Sequence, residues 1–231
     1  MGTKQQLGKR ILMSVLGVII CGVSVGMFKH ASLGVDSFQA LMSGLDALIP
    51  IRFGTLYVIV SLLLLMFTLI FNRHKIGLAT LINLFLLGYI AELSQNCIAR
   101  LLPDPMPALR LLVLAIAIVV MCLASAFYFT ADMGVSAYDA VALIWSEKQS
   151  RIPFSLCRVI TDLFCVFCGI LLCRAAGFTL LQITGEVGIG TIITAFFMGP
   201  LIQFFNDQVA RPFLYGRDRQ NGKFFLPQPK L

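Results

Sequence analysis

Arg158 and Asp162 stand four residues apart in a stretch, 153–173, that is otherwise apolar enough to cross a bilayer. At that spacing the two side chains share a helix face and can pair. Placing an arginine at the centre of a span costs about 2.5–3.5 kcal/mol even on lenient insertion scales, so something must offset it. One offset is structural, an ion pair with the arginine snorkelling toward water. The other is functional, because the planar guanidinium matches a carboxylate or phosphate bidentately and could grip an anionic group. Asp139 and Ser136, with Asp36 and Gln39, supply further polarity in two short helical patches. The functional reading has Arg158, Asp139, Asp36, Gln39, Ser136 and Asp162 lining a mid-membrane cavity for a small polar or anionic molecule. On that reading Arg158→Leu leaves a stable protein that no longer binds its ligand.

The patches that carry these residues span 36–48 and 136–148. Asp36 and Ser136 are good N-cap residues, and each directly follows a Gly-Val pair suited to a tight entry. Around thirteen helical residues reach only about 20 Å, against a hydrocarbon core of about 30 Å. Each patch therefore reads as a half-membrane helix buried against its neighbours rather than a crossing. In that arrangement the helix starts aim free N–H groups toward mid-membrane, a common way to hold a polar substrate.

These patches belong to a larger repetition. Leu33-Gly34-Val35-Asp36-Ser37-Phe38-Gln39-Ala40-Leu41 returns one hundred positions later as Met133-Gly134-Val135-Ser136-Ala137-Tyr138-Asp139-Ala140-Val141. After an insertion of eleven residues the echo resumes, with Ile76-Gly77-Leu78-Ala79-Thr80 matching Val187-Gly188-Ile189-Gly190-Thr191 and Gly88 matching Gly199. A duplicated unit in an apolar chain is the mark of a pseudo-symmetric membrane fold, often a transporter. The expected units are a first repeat at 1–102, a second at 103–206 and a basic, mobile cytoplasmic tail at 207–231.

Composition sets the class. The 231 residues are 58% hydrophobic and 13% charged, with a mean hydropathy of +0.90, outside the range of soluble domains. Strong candidate spans are 11–28, 53–71, 111–131 and 187–205; weaker ones are 76–91 and 153–173. The expected fold is an all-α integral membrane protein of two repeats, each with three spans plus one half-membrane helix, the repeats being inverted. The alternative is eight spans in parallel repeats, if the short patches cross. Counting Lys and Arg on the two sides does not separate these, although the Arg73-His74-Lys75 cluster lies inside only in the six-span version. Basic residues before the first span and after the last place both termini in the cytoplasm, and the bacterial inner membrane is the expected location.

The net charge of +7 is explained by span flanks and lipid head groups and calls for no nucleic acid. Gly188, Thr191 and Gly199 lie on one helix face, and Gly77, Thr80 and Gly88 repeat most of that stripe; close helix packing accounts for both. The seven cysteines sit mostly in apolar runs and behave as small hydrophobes. There is no P-loop, HExxH, nucleophile elbow or paired His/Cys cluster, so neither an enzyme, a cofactor nor a metal is expected. The expected partners are the lipid bilayer and a small-molecule substrate. A second copy or a membrane partner stays open, as does the competing role of a non-transporting accessory or scaffold protein.

The motif set resembles the YczE/YitT family of bacterial integral membrane proteins. That family's short helices open as Leu-Gly-x-x-Pro-Trp-Asp and Gly-x-x-Pro-x-Asp; this chain keeps Leu33-Gly34, Met133-Gly134 and Asp139, with Ser37 and Ala137 at the prolines and Gln39 at the first acid. The family's Arg-x-x-x-Glu matches Arg158 and Asp162, and its Gly-x-Gly-Thr and Gly-Pro elements match 188–191 and 199–200. The resemblance implies membrane class and topology, and no substrate.

Overall fold

The computed structural model describes residues 3–72, 76–149 and 154–215. The Arg73-His74-Lys75 cluster and the tail beyond 215 lie outside the described residues. Among the described residues the secondary structure is helical throughout: α1 (Thr3–Ala31), α2 (Ser37–Leu48), α3 (Phe53–Asn72), α4 (Leu78–Leu101), α5 (Pro107–Ala131), α6 (Ala137–Lys148), α7 (Phe154–Ala175), α8 (Leu180–Glu186), α9 (Ile189–Phe205) and α10 (Arg211–Tyr215), with a π-helical turn at Asn206–Ala210. Six helical stretches are long and apolar enough to cross a membrane. The two short helices α2 and α6 have 12 residues each, about 18 Å of rise, and fall short of a crossing.

Small side chains decide which helices touch, because between apolar helices in lipid it is close packing and buried polar bonds that discriminate. On α1, Gly17 leaves room for Ala124 and Tyr128 of α5. Ser24 Oγ donates to Ala117 O at 2.7 Å, and Cys21 Sγ lies 3.3 Å from Met121 Sδ. The partner number falls as the α1 number rises, so α1 and α5 run antiparallel. Against α4 the order is reversed. Gly22 abuts Ile90, Gly26 abuts Ser94, and Ser94 Oγ donates to Val23 O at 3.1 Å, so α1 and α4 run parallel. Helix α3 returns antiparallel to α4, with Gly54 against Tyr89 and Gly88 against Tyr57. Helix α9 runs parallel to α5, with Gly190 against Leu114 and Thr130 Oγ1 donating to Asn206 Oδ1 at 2.6 Å. The short α2 lies on α7, where Gly44 meets Gly169 O and Gly169 meets Ala40 O.

The core between these helices holds Val18, Val25, Phe28, Leu114 and Cys122, each at most 1% exposed. The outside is apolar as well: Leu63, Ile70, Phe164, Phe167 and Phe196 are exposed. In a chain with six apolar helices such a surface suits lipid rather than water.

The loops entering α2 and α6 are tied to helices far along the chain. Gly34, at φ +104°, donates its N–H to Gly185 O at 2.9 Å, and Leu33 O accepts from Gly190 N at 2.9 Å in the first turn of α9. Gly134, at φ +105°, sits against Gly77 and Thr80 at the start of α4. There Met133 O accepts from Ala79 N at 2.9 Å and Val135 O accepts from Thr80 Oγ1 at 2.7 Å. Both glycines have a left-handed φ and backbone within van der Waals reach, so a side chain fits neither. Each loop thus fills orphan N–H groups at a helix start that water cannot reach.

Four expectations shift. The span expected at 76–91 continues to Leu101, because Glu92, Gln95 and Asn96 lower its hydropathy without breaking the helix. The eleven-residue insertion folds largely as α8, opened by a reciprocal cap in which Thr179 N donates to Gln182 Oε1 at 2.8 Å. The tail expected to be mobile from 207 stays helical to Tyr215, where Ala210 and Leu214 are buried against Met13 and Ala126. Finally, Gly199 does not join the packing stripe. Among the described residues nothing lies within 4 Å of a Cβ built there, because Gly199 faces outward while Met198, Leu201 and Ile202 keep this part of α9 on the core.

Candidate functional site

The starts of α2 and α6 converge. Asp36 caps α2, accepting from Phe38 N at 3.2 Å and Gln39 N at 3.3 Å. Ser136 caps α6, its Oγ accepting from Asp139 N at 3.0 Å and donating to Asp139 Oδ2 at 2.6 Å. One residue into each helix, Phe38 and Tyr138 stack with ring centroids 4.8 Å apart. Tyr57 of α3 meets Phe38 edge-on at 5.8 Å and donates to Asn83 Oδ1 of α4 at 3.1 Å. An aromatic plug therefore sits where the two helix starts meet.

Arg158 of α7 closes the cluster from the side. Its Nη1 pairs with Asp139 Oδ1, and its Nε donates to Asp162 Oδ2 at 3.3 Å. The guanidinium carbon lies 4.6 Å over the Tyr138 ring, and the Tyr138 hydroxyl donates to Asp162 Oδ1 at 2.5 Å. One tyrosine thus offers its face to the cation and its O–H to that cation's carboxylate. The side chains of Arg158, Asp139 and Asp162 keep 24%, 13% and 9% of their exposure, so the group is largely dry. Pairing at low dielectric is what makes such a group tolerable, and losing one partner would expose the other.

All six expected residues fall near the two helix starts, in two layers. Arg158, Asp139, Asp162 and Ser136 are bonded to one another. Asp36 and Gln39 belong to the first turn of α2, beside Phe38, and make no hydrogen bond or ion pair with Arg158. Gln39 is 3% exposed and its Oε1 has no hydrogen-bond partner. The anion-gripping expectation meets a filled fork: two of the chain's own carboxylates, Asp139 and Asp162, already occupy Arg158. None of the six residues lines either of the two main cavities.

Tyr138 is the member of this cluster that the sequence understated. It reads as one apolar position of a helical stripe, yet it touches both charges of the Arg158–Asp162 pair. Its adjacency to Asp139 and its place opposite Phe38 in the repeat were the available signals. Of the packing residues, Gly77, Thr80, Gly188 and Thr191 lie where the loops meet α4 and α9, and Gly88 packs on Tyr57. Among the described residues no group of three His, Cys, Asp or Glu could hold a metal ion.

Comparison with known proteins places the chain. A family profile described as a family of unknown function, DUF6198, matches residues 8–207. The chain belongs to the DUF6198 family. It is also similar to the uncharacterized protein YyaS of Bacillus subtilis (strain 168), 26% identical over 199 residues that cover 86% of this chain and 93% of YyaS. No solved structure matches it.

Proposed function

We propose that this DUF6198 protein is a carrier for a small polar molecule, set in a bacterial cell membrane with six spans and both termini in the cytoplasm. The observation that carries the reading is the Arg158–Asp139–Asp162–Tyr138 group between two half-membrane helix starts. Ionisable groups held at membrane depth mark solute or ion pathways more often than they stabilise a fold.

The proposed halves are inverted repeats. In support, α1 and its sequence counterpart α5 are antiparallel, and Gly17 facing Ala124 is mirrored by Ser24 facing Ala117. That reciprocity is what a two-fold relation produces. The parallel run of α1 and α4 supports three crossings per half, since a fourth would make them antiparallel. Kinship with the YczE/YitT group fits the same plan through Gly34, Gly134 and the Arg158–Asp162 spacing.

The test is uptake into proteoliposomes from pools of small polar metabolites, comparing the parent chain with Asp162→Asn. Flux in the parent and its loss in the variant are expected. If no pool moves and a membrane partner co-purifies in fixed ratio, the carrier reading falls. The accessory role then stands, and the uncovered α9 face around Gly199 is the observation in its favour.

A further inference from the structure

A cavity of about 410 Å³ lies between the ends of α1 and α2, the start of α3 and the second half of α4, apart from the Arg158 group. Its size is in the range of small-molecule sites, about 300–1,000 Å³. Three carboxylates line it, Asp46, Glu92 and Glu186, against one ammonium, Lys29. Arg52 reaches Glu92 from outside at 3.5 Å, with 78% of its side chain exposed. The cavity therefore keeps an excess of negative charge.

Its acceptors are unfilled. Glu92 Oε2, Glu186 Oε2 and Ser43 Oγ are buried and have no hydrogen-bond partner, and Ser43 as a whole is 8% exposed. Leaving such groups dry and unpaired is costly, and a ligand that brings N–H donors and positive charge satisfies them. Lys29 already shows how an ammonium is accommodated: its Nζ stands 3.2 Å from the centroid of the Phe53 ring. Among the described residues no ion pair joins it to the three acids. Those acids are also too dispersed to hold a metal ion together.

We propose that this cavity is a binding site for a small aliphatic amine, with Asp46, Glu92, Glu186 and Ser43 accepting from its ammonium groups and Phe53 providing an aromatic face. The proposal deepens the carrier reading by naming a substrate class, and it rests on that reading only for the transport step, not for binding.

The experiment is a thermal-shift and calorimetric titration of the full chain in detergent. The probes are 1,4-diaminobutane and propylamine, with 1-propanol and butyrate as neutral and anionic controls. Saturable stabilisation by the amines, strongest for the diamine, is expected, with none from the controls. Glu186→Gln should weaken diamine binding at least about tenfold, the effect of losing one charge-assisted hydrogen bond. Lys29→Met, which removes the tethered competitor, should strengthen it. Equal responses to amine and alcohol, a preference for butyrate, or unchanged affinity in Glu186→Gln would overturn the site. If Glu186→Gln does not fold, Asp46→Asn carries the same expectation and the same refutation. Diamine uptake into proteoliposomes separates the two readings. Binding without flux leaves the site standing and removes the carrier; flux that Glu186→Gln and Asp46→Asn leave unchanged removes the site.

Discussion

The rings of Phe38 and Tyr138, one hundred positions apart in the chain, lie stacked 4.8 Å apart at the starts of the two short helices α2 and α6. They are counterparts in the two halves of the sequence and touch each other, as Cys21 and Met121 do at 3.3 Å. On the proposed inverted-repeat plan, counterparts that meet mark the line about which the halves are related. The buried charges gather beside that line through Tyr138.

Arg158→Leu should destabilise the protein, against the expectation from sequence that it would be tolerated. It leaves Asp139 and Asp162 buried without their cation, a loss of about 3–5 kcal/mol. Arg158→Leu combined with Asp139→Asn and Asp162→Asn should recover most of it. Thermal unfolding of purified variants in detergent decides this, and an unimpaired single variant would mean that the pair is solvated.

Tyr138→Phe removes only the hydroxyl that donates to Asp162. A hydrogen bond to a charged group is worth about 1.5–3 kcal/mol, so the unfolding temperature should drop clearly. Tyr57→Phe, whose partner Asn83 is neutral, should cost less, about 0.5–1.5 kcal/mol. Equal losses would show that Asp162 carries no charge in the fold.

Gly34→Ala and Gly134→Ala should each cost about 2 kcal/mol or more, since both combine a left-handed φ with close backbone. Gly199→Ala should change stability by less than about 0.5 kcal/mol in the isolated chain. Chemical denaturation of the three variants ranks them directly.

Topology has a direct readout. In a cysteine-free background, Ile51→Cys, Asp104→Cys and Gly177→Cys should all label from outside the cell, and Gln149→Cys only after permeabilisation. Labelling of position 177 alone would favour eight spans.

The class and the two short helices were legible because apolar runs and cap residues are local signals. Asp36 and Ser136 do cap α2 and α6, and Arg158 does meet Asp162. What stayed hidden depended on distant partners. The sequence places Asp139 near a helix start but cannot say that it fills the fork of Arg158. Gly77 and Gly188 read as parts of a packing stripe, whereas their task is to admit a loop from the other half. Lys29 and Glu92 carry no motif, and only the packing of α1 on α4 turns them into walls of one cavity. Helix α8 was readable in principle, since Thr179-Leu180-Leu181-Gln182 is a capping signature.

The loops at Gly34 and Gly134 bear on the order in which the protein is made. The first turn of α4 waits for the carbonyl of Val135, which lies 55 residues beyond Thr80. At about 5–20 residues per second, that partner leaves the ribosome some seconds after Thr80 itself. The start of α4 is therefore completed only once the loop before α6 has been made. Cutting the gene at the midpoint should therefore yield two fragments that mature only when made together.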